Sequence, residues 1–393
     1  MKKKLFSIFF LFIIYLPGVF SQSVTDTVVY LLTCGPGTET YSIYGHSAIR
    51  IVIPEKNSDT VYNWGVFDFI TPNFTWKFAK GRLDYMLGAV SVQSFLQSYQ
   101  YEKRFVYSQR INIDADETEH LIALINDNLK PENIKYRYDF FYDDCSTRIR
   151  DLLEKSIGEK LLYPPAEKGE FPTFRDMVGK YQNPFPWLKF GVDLIMGSPG
   201  DKKAAFRERM FLPIDMQNEL SETVINRAGK MIPLLQNPDI ILDFDPPAVR
   251  HKFLTSPVFV FTLFLIIVIF LSSWLKSKKI SNLVDIVIFS VFSILTFLMI
   301  FFNFFTDHQQ MKWNLNIIWL NPFILLCLIT LILNKTGSVW FRIVFFISGA
   351  FLVLHLFLPQ EFNNAFLPLV LILLIRSSVR AGFEWNPLTL TKI

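Results

Sequence analysis

The pattern of apolar and polar positions changes once along the chain, near Pro257. Before it, apolar residues come in short periodic runs divided by charges and turn residues. After it, they merge into long stretches. The first regime predicts a folded, water-facing domain and the second a membrane region. In the first, "SAIRIVI" and "TVYNWGVFDF" are rich in β-branched and aromatic residues, and "PEKNSD" between them is turn chemistry. Together they predict a β-hairpin. "VYSQRINID" predicts a further strand, closed by Asp114. "ETEHLIALINDNLK" has helical spacing and stops before Pro131. "IKYRYDFFYD" reads as a strand leading directly to Cys145, and "CSTRIRDLLEKSIG" as a helix that ends at Gly158. The expected unit is an α+β domain over residues 22–160.

From Leu161 to Asp245, short helical pieces are punctuated by proline and glycine, so residues 161–256 are expected to form a helical extension. Its most apolar piece, "PFPWLKFGVDLIMGSPGD", is expected to pack on the domain core. The alternative is an interfacial helix or lid facing lipid.

The second regime, residues 257–393, predicts an all-α transmembrane bundle of about five helices. The spans are Pro257 to Leu275, Val284 to Phe305, Asn316 to Leu333, Val339 to Phe357, and a shorter one from Ala365 to Ile375. Basic residues orient them. Lys276, Lys278 and Lys279 follow the first span, Lys335 and Arg342 flank the third turn, and Arg376 and Arg380 follow the fifth. The alternate loops hold one lysine, Lys312. The excess of Lys and Arg marks the cytoplasmic side, which puts the N-terminal domain across the membrane. An export signal at residues 1–21 agrees: Lys2, Lys3 and Lys4 precede an apolar run, and Val19 and Ser21 offer a cleavage site before Gln22. An uncleaved N-terminal anchor is the alternative. The expected location is the inner (cytoplasmic) membrane, multi-pass, with the domain in the periplasm.

Composition sharpens this. Of 393 residues, 51% are hydrophobic and 41 are phenylalanine, with mean hydropathy +0.30, which excludes an ordinary soluble enzyme. A net charge of +4 implies no nucleic-acid partner. No zinc-type Cys/His spacing, EF-hand or P-loop is present, so neither metal nor cofactor is expected.

Three cysteines remain. Cys327 lies in an apolar run and reads as a small buried hydrophobe. Cys34 and Cys145 fall in the domain, where a disulfide between them is the alternative to a reactive Cys145. At a helix N-terminus, Cys145 would feel the positive end of the dipole and free N–H groups able to hold an oxyanion. Asp143 and Asp144 would oppose ionisation unless they are paired or turned away. Of the domain's histidines, His120 sits on a predicted helix and His251 at the membrane junction. His46 begins a strand beside Gly45, and composition alone favours a structural role for it.

The motifs "YGHSAIRI", "VYNWGVFDF", "YRYDFFYDDCSTRIRD" and "FGVDLIMGSPGDKKAAFRERMFLP" resemble a Bacteroidetes membrane-protein family of lipoprotein N-acyltransferases. In that family a permuted papain-like (NlpC/P60-like) thiol domain precedes a membrane bundle. The likeness covers Leu31 to about Pro213 in motifs and the whole chain in layout. It implies Cys145 as nucleophile and His46 as base, with a polar residue on the next strand to orient the imidazole. A symmetric "PEKNSD" turn would place Asp68 there, and a shorter or bulged hairpin Asn63. The resemblance implies transfer of an acyl chain from a membrane phospholipid, through a cysteine thioester, to the N-terminal amine of a diacylglyceryl-cysteine lipoprotein. Asp144 departs from the pattern, since asparagine is usual there. Two other functions fit the residues: a membrane-anchored cell-wall amidase or cysteine peptidase, and a non-catalytic membrane-anchored binding module with Cys34 and Cys145 bridged.

Overall fold

A computed structural model describes residues 27–165, 171–246, 253–274, 277–335 and 338–383. The expected export signal, His251 and Lys276 lie outside the described residues. Ten strands occur among them: β1 (Val28–Cys34), β2 (His46–Ile53), β3 (Ser58–Val66), β4 (Asp84–Ser91), β5 (Val106–Arg110), β6 (Lys135–Arg137), β7 (Leu161–Leu162), β8 (Val224–Arg227), β9 (Lys230–Pro233) and β10 (Asp239–Leu242). Seven form one antiparallel sheet in the order β10-β5-β1-β2-β3-β4-β6, and β7-β8-β9 form a second. The alternation of side chains gives the large sheet two buried faces. Leu31, Ile49, Ile51 and Trp64 line one, with Leu121, Ile125, Ile149 and Leu153 from helices α3 (Ala115–Asn128) and α4 (Cys145–Ile157). The other holds Leu32, Ala48 and Val61 under Phe95 and Tyr99, from the helix Val92–Glu102.

The β2–β3 hairpin forms as expected but is tighter. Pro54–Lys56 make a 3-10 turn, Asn57 is left-handed at φ 47°, and Ile53 pairs with Ser58. Ser58 and Asp59, expected in the turn, are therefore in the strand. The expected strand before Cys145 shrinks to β6, because Asp139 and Asp143 close a tight turn on each other. The expected helical extension is only partly helical. It supplies β7 to β10, and Met210, Met216, Leu220, Ile225 and Leu234 enter the same core as α4. Its apolar helix, Pro186–Ile195, packs on both sides: Val192, with Met196 just after the helix, joins a cluster of Phe141, Phe174 and Phe211 in the exported part, while the rest of its apolar face meets the membrane bundle. Leu194 is buried among bundle residues, and Phe190 meets Phe261 and Phe366.

Five apolar helices follow: Pro257–Trp274, Lys278–Phe304, Phe323–Ile332, Ser338–Leu354 and Phe366–Ala381. By length and composition three described segments suffice to cross a membrane: Pro257–Trp274, Lys278–Phe304 and Ser338–Phe357. The expected span from Asn316 becomes regular helix only at Phe323. Before it, Asn316 is turned aside to bond the carbonyls of Asp193 and Leu194. The last helix runs past its expected end at Ile375, because its charges are satisfied inside the bundle. Arg376 Nε donates to Asp285 Oδ1 (2.6 Å) and its Nη1 to Ser272 Oγ (2.7 Å), while Arg380 also reaches Asp285.

The loop over residues 305–322 ties bundle to domain. Arg82 pairs with Asp307 at 2.7 Å, and Gln310 Nε2 donates to Asp139 Oδ1. Gly197 N–H donates to Gln310 O (2.8 Å). A Cβ at Gly197 would lie 1.9 Å from Lys312 O, so only glycine permits this approach.

Candidate active site

Cys145 is the first residue of α4, and the chain enters the helix through a polar cap. Asp144 Oδ1 accepts from the N–H groups of Ser146 (2.9 Å) and Thr147 (2.8 Å), and Thr147 Oγ1 accepts from Asp144 N–H (2.7 Å). This reciprocal cap fixes the helix start. It also corrects an expectation: those two N–H groups are taken and are not free to hold an oxyanion. The Cys145 N–H itself donates no hydrogen bond among the described residues. The two acidic neighbours are accounted for separately. Asp143 is clamped by Arg148 through both carboxylate oxygens (2.5 and 2.8 Å), and Arg148 lies over the Tyr136 ring. Asp144 is buried, and that burial holds its carboxyl well above the usual carboxylate range, which reduces the negative charge beside the thiol.

The Cys145 thiol is 6% exposed. Burial pushes its pKa up. Opposing that are the Ser47 N–H, the Ser146 and Tyr138 hydroxyls and, shared with Asp144, the Ser146 N–H. The Ser146 Oγ lies 3.9 Å from Sγ. Such a ring of donors favours the anion once it forms, although the resting group is the neutral thiol. Ser47 and Ser146, both fully buried, meet at 3.3 Å between hydroxyls and tie the start of β2 to the start of α4.

His46 opens β2. Gly45 before it has φ +83°, and a Cβ there would lie 2.7 Å from Cys34 O, so the entry to the strand requires glycine. The imidazole Nε2 is hydrogen-bonded to Asn63 Oδ1. Since the amide oxygen accepts, Nε2 carries the proton and Nδ1 keeps its lone pair. Burial lowers the His46 pKa to about 4; the Asn63 bond and Asp144 oppose this, and Arg104 adds to it. The neighbouring Ser47 meets Ser146 at the start of α4, so His46 stands one residue along β2 from that contact. No hydrogen bond joins imidazole and thiol directly among the described residues.

The hairpin register decides between the two candidate orienting residues. Ile49 pairs with Tyr62 and Ile53 with Ser58, which brings Asn63 onto the His46 face. Asp68 lies beyond the end of β3, is exposed, and accepts from Ile70 N–H (2.8 Å). The expectation for Asp68 is thus corrected. It assumed a symmetric six-residue turn, whereas the turn closes earlier.

Cys34 and Cys145 are both free thiols. Cys34 pairs with His46 across β1–β2 and is buried on the opposite sheet face from α4, with its pKa raised to about 12 by burial. The bridged alternative therefore has no support. His120 is exposed on α3, far in sequence from the cluster. Tyr138 and Ser47 were missed in the sequence. Ser47 adjoins His46, and Tyr138 lies in the aromatic run before Cys145, but only the folded turn shows either at the thiol. Among the described residues no group of His, Cys, Asp or Glu gathers in a way that could hold a metal ion.

Fold and site together define a membrane protein whose α+β domain carries a buried cysteine at a helix N-terminus and an asparagine-bound histidine at the start of a strand. The Lnb N-terminal periplasmic domain matches residues 20–177, and the Lnb transmembrane domain matches residues 249–384. The chain belongs to the Lnb family, with that family's periplasmic domain and membrane region in their order. No curated relative and no solved structure matches it.

Proposed function

We propose that this protein is a thiol-dependent lipoprotein N-acyltransferase of the inner membrane, built on a permuted papain-like domain that faces the periplasm. One observation carries the reading: a buried cysteine at a helix start whose neighbour Ser146 meets Ser47, the residue after an imidazole that Asn63 holds by Nε2 and whose Nδ1 is left as a base. His46 Nδ1 takes the Cys145 proton, and the thiolate attacks an ester carbonyl of a glycerophospholipid. The oxyanion is received by the Cys145 N–H and the Tyr138 hydroxyl. The carbon–oxygen bond breaks, the imidazolium proton goes to the leaving alkoxide, and a lysophospholipid departs from a thioester on Cys145. The amine of a diacylglyceryl-cysteine lipoprotein then attacks the thioester. An amide forms, and the thiolate leaves and regains a proton through His46. Catalytic hydrogen bonds often close only in the loaded complex, so imidazole and thiol need not be bonded at rest.

The match to a periplasmic domain joined to a membrane region supports this, because both substrates would be lipid-embedded. Mass analysis of lipoprotein N-termini, in cells with and without the protein, tests it. The N-acyl group should vanish without the protein, and should not return with Cys145→Ser, which is nearly isosteric but a far poorer nucleophile. Unchanged N-termini would remove the reading.

A further inference from the structure

Between β3 and β4, residues Asp68–Lys80 form a projection with apolar side chains outermost. Phe69, Ile70, Trp76 and Phe78 are 65%, 88%, 56% and 43% exposed. Its base is seated on the end of the spanning helix Lys278–Phe304. The Trp76 ring lies 5.5 Å from that of Phe301, one turn inside that helix. The His308 Nε2 bonds to Phe78 O (2.9 Å), and Asp307 N–H donates to Lys80 O (2.8 Å). Phe304 and Phe305 are exposed at the same end, and the Lys80 ammonium stands 5.0 Å from the Trp76 ring. Aromatic rings with a flanking lysine, held level with the last turn of a membrane helix, match the chemistry of a bilayer interface.

We propose that this projection inserts into the leaflet facing the periplasmic domain and delivers the acyl chain of a long-chain phospholipid to Cys145. The path inward is a run of rings. Phe74 lies 5.8 Å from Phe67, Phe67 5.3 Å from Tyr85, and Tyr85 4.5 Å from Tyr138, whose hydroxyl favours ionisation of the thiol. The occupant is lipid and not a protein partner, because the exposed rings continue from the helix end that already lies in the membrane. Insertion stands on geometry alone, while delivery rests on the acyltransferase reading above.

Full-length protein with Ile70→Cys, and separately Tyr101→Cys, is labelled with a nitroxide and reconstituted in phosphatidylethanolamine/phosphatidylglycerol vesicles. The native cysteines are buried, which limits background labelling. Tyr101, 89% exposed on the Val92–Glu102 helix, is the aqueous control. The Ile70 label should be relaxed mainly by oxygen and the Tyr101 label mainly by a water-soluble nickel chelate. Nickel-dominated relaxation at Ile70 overturns insertion whether or not the enzyme is active. The double variant Phe69→Ser/Ile70→Ser should form the Cys145 thioester from vesicle phospholipid roughly tenfold more slowly, yet react with soluble p-nitrophenyl butyrate at the wild-type rate. Equal slowing on both substrates, or on neither, overturns delivery. Wild-type protein that forms no thioester overturns delivery together with the acyltransferase reading, and the spin label still reads insertion.

Discussion

Asn63 holds His46 by its Nε2, across the two strands of the β2–β3 hairpin. The amide fixes both the ring orientation and the tautomer, and leaves Nδ1 unprotonated. Asn63→Ala should therefore lower kcat/KM for acyl transfer by about 100-fold with little loss of folded protein, as expected for misplacing a general base. Asp68→Ala should stay within about twofold, because its carboxylate serves only a local turn. Single-turnover thioester formation at Cys145 measures both. The reverse ranking would return the orienting role to Asp68.

The lowered His46 pKa gives a pH signature. Its base form is present above about pH 4, so the acid limb of kcat/KM should fall near pH 4 and not near 6.5. The sign for stability follows from the same shift. The unfolded histidine binds its proton near pH 6.5 and the folded one only near 4, so its contribution to stability is present above 6.5 and lost as pH falls towards 4. Asn63→Asp should move the acid limb upward, because an anion at Nε2 stabilises the imidazolium. An acid limb that stays put in that variant would show that His46 does not set it.

Hairpin, helices α3 and α4, and the cysteine at a helix start were legible because each depends on short-range pattern: β-branched runs, helical spacing, and the glycine stop at Gly158. The choice between Asn63 and Asp68 was not, because it turns on a register set by Asn57 in the left-handed region. Nor was β10, a four-residue strand that pairs with β5 across more than a hundred residues of chain. The capping of Ser146 and Thr147 by Asp144 was hidden for another reason. The same residues fit a free helix end equally well, and only side-chain direction distinguishes the two.

The turn before Cys145 is held from the membrane side. Asp139 Oδ1 accepts from the N–H groups of Phe141 (2.9 Å) and Tyr142 (3.0 Å) and also from the buried Gln310. Gln310→Ala removes the third donor and leaves the turn's own bonds. It should lower kcat by roughly tenfold, through a less well-placed Cys145, while the bundle stays folded. Comparing detergent-solubilised variant and wild type by thermal unfolding and thioester rate checks this. A loss of rate only in proportion to unfolded protein would assign Gln310 a purely structural part.

The final expectation concerns sidedness. Arg376 and Arg380 bond Asp285 and Asn282 near the start of the helix Lys278–Phe304, which opens with Lys278 and Lys279, and Arg342 bonds Ala381 O, so the basic residues of three helices gather at one end of the bundle. The α+β domain docks at the opposite end, through Arg82–Asp307 and Gln310–Asp139. Basic clusters mark the cytoplasmic face, which places Cys145 in the periplasm. Position 168, in the domain's extension, would be a natural probe but lies outside the described residues. Glu132, exposed after α3, serves instead, and Ser277 is exposed at the basic end. In cells with a permeabilised outer membrane, an impermeant maleimide should label Glu132→Cys and spare Ser277→Cys until the inner membrane is broken. Labelling in the opposite order would put Cys145 in the cytoplasm. Exported lipoproteins could not then be its acceptors, because their amine-bearing cysteines are displayed across the membrane from that compartment.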